Sequence, residues 1–321
     1  MRDLLSSAGS RSMMAASNMA VRRYPLSVTF ISTYRCNFRC EYCDIWRLRD
    51  DELSTDDAIR MIDEFSDMGM SRLCFTGGEP LTRDDIGELT SYSVRKGVFT
   101  SLFTNGSLLE DNMEKLKELD LIIVSLDGPE EAHGKLRDGG SYRQLASGIR
   151  AAKMAGLNVW TNTVITKENL DYLPLMVDDA QRLGVKMTFQ PVLSYPFSSD
   201  VSRISSMSPE GKAYMKAIQG LKELKKKGAP IVNSPEYLDH IKLPVWGLNR
   251  RECWAGRLYC AVTPTGNVAP CYPAFYSKEW PSGALLGYRE AFEKIGEVKC
   301  AGCYTELAES DLLYSSFLRS A

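Results

Sequence analysis

Histidine, net charge and long apolar runs are all scarce in this sequence. Of its 321 residues only His133 and His240 are histidines, so the chain offers few imidazole ligands to a metal. No apolar run approaches the ~20 residues that a membrane-spanning helix needs, and we expect no membrane partner. The formal net charge is −2 and the pI is about 5.9, which argues against nucleic acid as the main partner because nucleic-acid binding selects for basic faces.

A secretory signal peptide is also missing, and the cysteines do not form an even set. The nine cysteines are Cys36, Cys40, Cys43, Cys74, Cys253, Cys260, Cys271, Cys300 and Cys303. An odd count in a large chain without a signal peptide is untypical of a secreted disulfide scaffold. Seven of the nine fall into two groups with ligand-like spacing, which indicates metal binding in a reducing, cytoplasmic compartment.

Short apolar segments alternate with amphipathic ones from residue 26 to about 190. The segments "SVTFIST", "RLCFTGG", "FTSLFTNG", "LIIVSLDG", "NVWTNTVIT" and "VKMTFQPV" are predicted strands, and the segments between them are predicted helices. Continuous apolar strands separated by amphipathic helices predict a parallel sheet covered by helices. Right-handed crossovers would wind this sheet into a partial (β/α)6 barrel of the TIM type, an α/β fold.

We predict four parts along the chain. Residues 1–24 are expected to be a flexible tail, residues 25–200 the barrel core, residues 201–244 a helical connection and residues 245–321 a small C-terminal unit. The segment 194–207 breaks the periodicity and is predicted to be a loop. The segment "GRLYCAVTPTGNVAPCYP" is predicted to form a hairpin around Thr265 and Gly266.

Three cysteines follow the first predicted strand in the segment "CNFRCEYC", at Cys36, Cys40 and Cys43. Thiolates on a loop are the usual ligands of an iron–sulfur cluster, whereas a structural zinc site usually takes four protein ligands. Since the sequence has no fourth cysteine or histidine nearby, one iron of such a cluster would keep an open coordination site.

This segment resembles the signature of the radical S-adenosylmethionine (SAM) enzymes, including the aromatic residue Tyr42 before the last cysteine. The stretch Gly77-Gly78-Glu79-Pro80 after the second predicted strand strengthens the resemblance. It implies that SAM binds the open iron of a [4Fe-4S] cluster, and that reduction of the cluster yields a 5′-deoxyadenosyl radical which removes a substrate hydrogen.

The resemblance also implies which side chains contact SAM. Gly77 to Pro80 would bind the methionyl amino group, because glycines allow close backbone approach and a carboxylate accepts hydrogen bonds from an ammonium group. The other cofactor contacts that the resemblance implies are Asn105, Ser125 and Asp127 at strand ends, Asn162 within a strand, and Tyr42 and Arg137 in connecting segments.

The later cysteines resemble those of the auxiliary-cluster extensions called SPASM and twitch. Cys253, Gly266 and Cys271 match the opening of that pattern, and Cys300 and Cys303 supply a chelating pair. No cysteine follows Cys303, which matches the shorter twitch form with one further [4Fe-4S] cluster. Two alternatives stay open: Cys260 replaces Cys253 as a ligand, or the four cysteines hold a structural zinc ion.

A redox centre near the substrate favours oxidation of a small polar metabolite, similar to a sugar or cyclitol, with electrons leaving through the auxiliary cluster. Tyr272, directly after Cys271, is the candidate catalytic residue. The alternatives are modification of a ribosomally made peptide, modification of a tetrapyrrole, and a non-enzymatic electron carrier or redox sensor. A flavodoxin or ferredoxin is the expected reductant.

Overall fold

A computed structural model gives the fold of this chain and describes residues 23–138, 142–193, 201–242, 253–276, 279–296, 305, 308 and 309. The predicted tail lies almost entirely outside these residues, as do Cys300 and Cys303. The strands are β1 (Ser27–Thr33), β2 (Arg72–Gly77), β3 (Phe99–Thr104), β4 (Leu121–Ser125), β5 (Val159–Ile165), β6 (Lys186–Pro191), β7 (Tyr259–Val262) and β8 (Val268–Ala269).

Helices connect the successive parallel strands and continue after β6. They are α1 (Thr55–Asp67), α2 (Ile86–Arg95), α3 (Met113–Leu116), α4 (Glu130–Leu136), α5 (Tyr142–Met154), α6 (Leu173–Leu183), α7 (Val201–Ser206), α8 (Gly211–Lys226), α9 (Pro235–Ile241), α10 (Gly283–Leu286) and α11 (Tyr288–Glu293). Among the described residues, no helix has both the length and the apolar character needed to cross a membrane.

The strands form one eight-stranded sheet in the order β6-β5-β4-β3-β2-β1-β7-β8. All neighbouring pairs are parallel except β7 with β8, which form the predicted hairpin. The predicted α/β class is therefore confirmed. Because β7 pairs with β1, the hairpin extends the core sheet, and Cys260 and Val262 of β7 pack in the main hydrophobic core.

Alternate residues of each strand face the helices or the interior of the curved sheet, as the period of two requires. On β1, Val28 and Phe30 pack in the main core, while Thr29 lines an internal cavity. We call the space enclosed by the sheet the lumen.

One prediction about the elements is wrong. The segment 194–207 was expected to be a loop, but Val201–Ser206 is helical, and residues 194–200 lie outside the described part. A helix of six residues is too short to show a reliable apolar period.

Candidate active site at the carboxyl ends of the strands

The loop after β1 carries the three cysteines and is held by its own backbone. The amide of Phe38 donates to the Cys36 sulfur at 3.4 Å, and the amide of Cys43 donates to the Cys40 carbonyl at 3.1 Å. The amide of Glu41 donates to the Leu136 carbonyl at the end of α4, 3.0 Å away. These bonds curl the loop and fix it to the barrel.

All three cysteines line one cavity of about 150 Å³ at the carboxyl ends of the strands. Parallel strands bring their carboxyl ends to one edge, which is where α/β barrels place their active sites. The cavity brings together most of the side chains expected at the site: Cys36, Cys40, Cys43, Tyr42, Gly77, Gly78, Asn105, Ser125, Arg137, Asn162 and Tyr272.

The chemistry of this donor set fits an iron–sulfur cluster. Burial raises the pKa of Cys40 to about 11 and that of Cys43 to about 12, and bound iron would keep these thiols deprotonated. No group of three or more described His, Cys, Asp or Glu side chains is arranged around a single metal ion.

Gly77 and Gly78 bring the backbone of β2 close to the cysteine loop. Gly77 has a φ of +138°, and a Cβ atom at either glycine would overlap a backbone oxygen, of Thr33 or of Arg35. The Gly78 amide donates to the Thr33 carbonyl at 2.8 Å. Only glycine permits this approach, which leaves a narrow wall without side chains beside the cysteines.

Glu79 differs from the expectation that its carboxylate meets the amino group of SAM. The side chain is fully buried and is not part of the cavity wall. Its oxygens accept hydrogen bonds from Leu81 N at 3.1 Å, Thr104 Oγ1 at 2.9 Å and Asn105 N at 2.7 Å. Glu79 thus ties the end of β3 to the glycine turn, and Pro80 begins the short 3-10 turn that follows.

Burial also changes the acidity of Glu79. The loss of solvent raises the pKa of this carboxyl to about 7, although the hydrogen bonds from Asn105 and Leu81 oppose the rise. The buried carboxyl of Glu79 therefore binds a proton more readily than an exposed glutamate does.

Asp127 also lies behind the cavity wall rather than in it. Its carboxylate accepts hydrogen bonds from the Tyr42 hydroxyl, from Arg137 Nε at 2.6 Å and from Val164 N at 2.9 Å. The expected contact of Asp127 with SAM stays a prediction, and in this structure its carboxylate oxygens face protein donors.

Two asparagines of the cavity wall make contacts with neighbouring strands and loops. Asn105 Nδ2 donates to Asn37 Oδ1 at 2.8 Å, which links the end of β3 to the cysteine loop. Asn162 Oδ1 accepts from Thr188 Oγ1 at 2.8 Å and lies opposite Ser125 in the β4–β5 register. Ser125 and Asn162 therefore share one stretch of the wall.

A second cavity of about 230 Å³ occupies the lumen beneath the first. Its walls are mostly apolar, and it shares seven lining residues with the cysteine cavity: Tyr42, Cys43, Thr76, Phe103, Val164, Gln190 and Tyr272. At its far end Arg72 Nη1 lies 3.1 Å from Glu309 Oε2 and 2.9 Å from Ser27 Oγ. The two cavities are thus adjacent chambers of one barrel.

Sequence reasoning missed Gln190, which lines both chambers. Gln190 stands one position before the end of β6, on the same face of the strand as Lys186 and Thr188. A polar residue near the carboxyl end of a buried strand is the signal that could have identified it.

The auxiliary site is only partly within the described residues. Cys253 and Cys271 pack on one small cluster of Ala255, Leu258 and Tyr259, and the Cys253 sulfur lies 3.2 Å from the Tyr259 hydroxyl. Cys260 is instead buried in the main core. Since Cys300 and Cys303 lie outside the described part, the auxiliary ligand set stays a prediction, and the packing favours Cys253 over Cys260.

Known proteins share this fold. SuiB of Streptococcus suis bound to S-adenosylmethionine superposes with a TM-score of 0.65 and 14% identity, covering 88% of this chain and 67% of that one. The protein anSMEcpe with bound AdoMet gives a TM-score of 0.66 and 19% identity, covering 92% and 97%. At these identities the likeness shows the fold, and it confirms the predicted partial barrel.

Sequence relatives share more of their residues with this chain. It is 27% identical to the PqqA peptide cyclase of Granulibacter bethesdensis, over 84% of this chain and 76% of the relative. It is 28% identical to the AdoMet-dependent heme synthase of Methanosarcina barkeri, over 89% and 93%. The sequence profile of the radical SAM superfamily matches residues 30–180, and the chain belongs to the radical SAM superfamily of enzymes.

Proposed function

We propose that this enzyme removes a hydrogen atom from an apolar group of its substrate, and that a peptide side chain is the favoured group. The observation that carries this proposal is the mostly apolar lumen chamber directly beneath the three cysteines. Pockets for whole drug-sized ligands occupy roughly 300–1,000 Å³. A chamber of about 230 Å³ is matched instead to one side chain.

Some residues of the two chambers would bind the cofactors, and others would exclude water from the substrate. Cys36, Cys40 and Cys43 would hold a [4Fe-4S] cluster, and the wall of Gly77, Gly78, Ser125, Arg137 and Asn162 would hold SAM. When bound, this pair supplies a 5′-deoxyadenosyl radical. Tyr42 and Tyr272 lie between the two chambers and would exclude water from the reacting carbon.

The apolar walls disfavour the sugar or cyclitol substrate expected from the sequence. A polyol needs hydrogen-bond partners for every buried hydroxyl, and each one left unpaired costs about 1–3 kcal/mol. Most of the accessible wall of the lumen is apolar. Its polar side chains are Thr29, Thr76, Gln190, Thr305, Tyr42, Tyr272 and the Arg72–Glu309 pair. The relatives named above act, by their names, on a peptide and in heme synthesis.

An auxiliary [4Fe-4S] cluster at Cys253, Cys271, Cys300 and Cys303 is part of the proposal, as is a flavodoxin or ferredoxin reductant. The packing of Cys253 and Cys271 on one cluster of side chains supports it. Clustered thiol ligands favour a cytoplasmic location, because reducing compartments keep thiols available for metal.

Transfer of deuterium tests the substrate class. Peptides with perdeuterated aliphatic or aromatic side chains, and perdeuterated cyclitols, are incubated with the reduced enzyme and SAM, and deuterium in 5′-deoxyadenosine is measured by mass spectrometry. We expect label only from peptide side chains. Label from a cyclitol would contradict the proposal.

A lumen variant provides the matched control. Thr29 lines the lumen chamber but not the cysteine cavity, so Thr29→Phe should stop deuterium transfer while SAM cleavage by dithionite continues. Equal transfer by the variant would show that substrate does not enter the lumen.

A tetrapyrrole is the second candidate, because the heme synthase relative is covered over 93% of its length. Fe-coproporphyrin III added to the enzyme distinguishes the two. Loss of a peripheral hydrogen from the macrocycle into 5′-deoxyadenosine would favour this candidate over the peptide.

A further inference from the structure

Asp127 connects four parts of the barrel through one fully buried residue. Its Oδ2 accepts from Tyr42 of the cysteine loop and from Arg137 Nε, and its Oδ1 accepts from Val164 N on β5. Its own amide donates to His133 Nδ1 on α4 at 3.2 Å. Its carbonyl accepts from Asn169 Nδ2 at 2.9 Å.

Arg137 lies at the end of α4 and lines the cavity. We call the two terminal nitrogens of its guanidinium group, Nη1 and Nη2, the fork. The guanidinium is buried and lies 5.7 Å from the centre of the Tyr42 ring. Its Nε is bound to Asp127, whereas Nη1 and Nη2 have no acceptor within the described part of the chain. Two parallel N–H donors on one side of a guanidinium match a carboxylate.

We propose that Asp127 is a positioning residue: it orients Arg137 so that the free fork faces the carboxylate of SAM, and its bond to Tyr42 ties that fork to the cluster loop. This inference rests on the proposed binding of SAM at the cysteine cavity. Each oxygen of the Asp127 carboxylate has its own contact. Oδ1 accepts from Val164 N on β5, and Oδ2 accepts from Arg137 Nε. The guanidinium plane is therefore set before any ligand arrives.

A simpler role for Asp127 would be to neutralise the charge of Arg137. The two roles predict opposite results when the charge of Asp127 is removed. Without its counter-charge, a buried arginine attracts an anionic ligand more strongly. If Asp127 orients the fork, loss of the carboxylate instead weakens the binding of SAM. The NH2 group of an asparagine would face the N–H of Arg137 or of Val164, and two donors cannot form a hydrogen bond with each other.

Asp127→Asn is the main variant, and the affinity for SAM is measured by calorimetry under anaerobic conditions on protein loaded with iron and sulfide. We expect the dissociation constant to rise at least about tenfold, the scale of one charge-assisted hydrogen bond. An unchanged or smaller dissociation constant would overturn the proposal.

Asp85→Asn is the matched control. Asp85 holds another buried guanidinium, that of Arg83, through bonds of 2.8 and 2.7 Å, and it does not line either chamber. Its loss should change the affinity for SAM by less than about twofold, even though a similar ion pair is removed.

A double-mutant cycle shows whether Asp127 acts through Arg137. Arg137→Lys keeps the cation but has no fork, so Asp127→Asn should have less than about a threefold further effect on SAM binding in that background. Full additivity of the two substitutions would contradict the inference.

A second variant serves if Asp127→Asn does not hold its cluster or fold. His133→Ala removes the acceptor of the Asp127 amide, and we expect SAM binding to weaken by roughly fivefold, the scale of one neutral hydrogen bond. Unchanged binding by this variant would count against the proposal. Failure of the wild-type protein to bind SAM would instead overturn the proposed function.

Discussion

At the scale of single residues, buried polar groups shape the candidate site from behind its wall. Glu79 and Asp127 are fully buried, and each accepts three hydrogen bonds from protein donors. A buried carboxylate is tolerated only when its oxygens are satisfied. These two residues therefore join loops and strand ends, while backbone glycines and Arg137 face the cavity.

The sequence identified these carboxylates but not their roles. A carboxylate at a strand end can face a ligand or turn back to bind the neighbouring strand, and both arrangements have the same one-dimensional pattern. Roles were easier to assign to Gly77, Gly78 and the three cysteines. Only glycine allows the close approach of two backbones, and clustered thiols indicate metal binding.

The lowered pKa of His133 predicts how the free energy of unfolding depends on pH. Burial, with the nearby Arg137 cation, lowers its pKa from 6.5 to about 4. The unfolded chain therefore binds a proton in this range before the folded one does, so stability falls as pH decreases from 6.5 towards 4. His133→Gln cannot titrate here and should reduce that fall by at most about 3 kcal/mol. Urea unfolding between pH 4 and 6.5 measures the free energy of unfolding. The same pH dependence in the wild type and the variant would contradict the prediction.

At the scale of elements, the strands followed from the sequence almost to the residue. The predicted segment "SVTFIST" coincides with β1, and the other five core strands begin within one residue and end within three residues of their predicted bounds. Continuous apolar runs between glycine-terminated helices leave little freedom of register.

Short helices were harder to predict than strands. The segment between β4 and β5 forms two helices, α4 and α5, and only four residues of the segment between β3 and β4 are α-helical. Segments of four to seven residues are stabilised by tertiary packing rather than by their own pattern. Arg137 owes its position to α4, so the sequence named this residue without the helix that places it.

The close approach of β2 to the cysteine loop gives a prediction for Gly78. Gly78→Ala would place a Cβ against the Arg35 carbonyl and shift the loop, so we expect the variant to hold clearly less iron after anaerobic reconstitution. Gly220→Ala is the control. Gly220 lies within α8 with nothing near its added Cβ, and alanine there should raise stability by about 1 kcal/mol. Wild-type iron content in Gly78→Ala would contradict the account.

At the scale of the whole molecule, the C-terminal part extends the core sheet. β7 adds to the sheet beside β1, and Glu309 meets Arg72 at the far end of the lumen. The sequence predicts a small C-terminal unit from residue 245, and cysteine spacing gives no information about which strand a later segment will join.

The Arg72–Glu309 pair predicts a large stability effect. Arg72 is 1% exposed, so Glu309→Ala leaves a buried charge uncompensated and should cost about 3–5 kcal/mol. Glu118→Ala removes the partner of Arg95, which is 60% exposed, and should change stability by less than about 1 kcal/mol. Equal effects of the two variants in urea unfolding would show that the C-terminal segment does not close the lumen.

Iron content tests the proposed second cluster. Wild-type protein reconstituted without oxygen should hold about eight irons, and Cys271→Ala about four, since two [4Fe-4S] sites are expected. A wild-type content of four irons with one zinc would mean that the later cysteines are structural.

The central claim is that the three cysteines of the loop after β1 support reductive cleavage of SAM. The direct measurement is 5′-deoxyadenosine formed from SAM and dithionite by reconstituted protein. We predict its formation by the wild type and by Cys74→Ala, since Cys74 lines only the lumen chamber, and its loss in Cys40→Ala. Undiminished 5′-deoxyadenosine from Cys40→Ala would contradict the account.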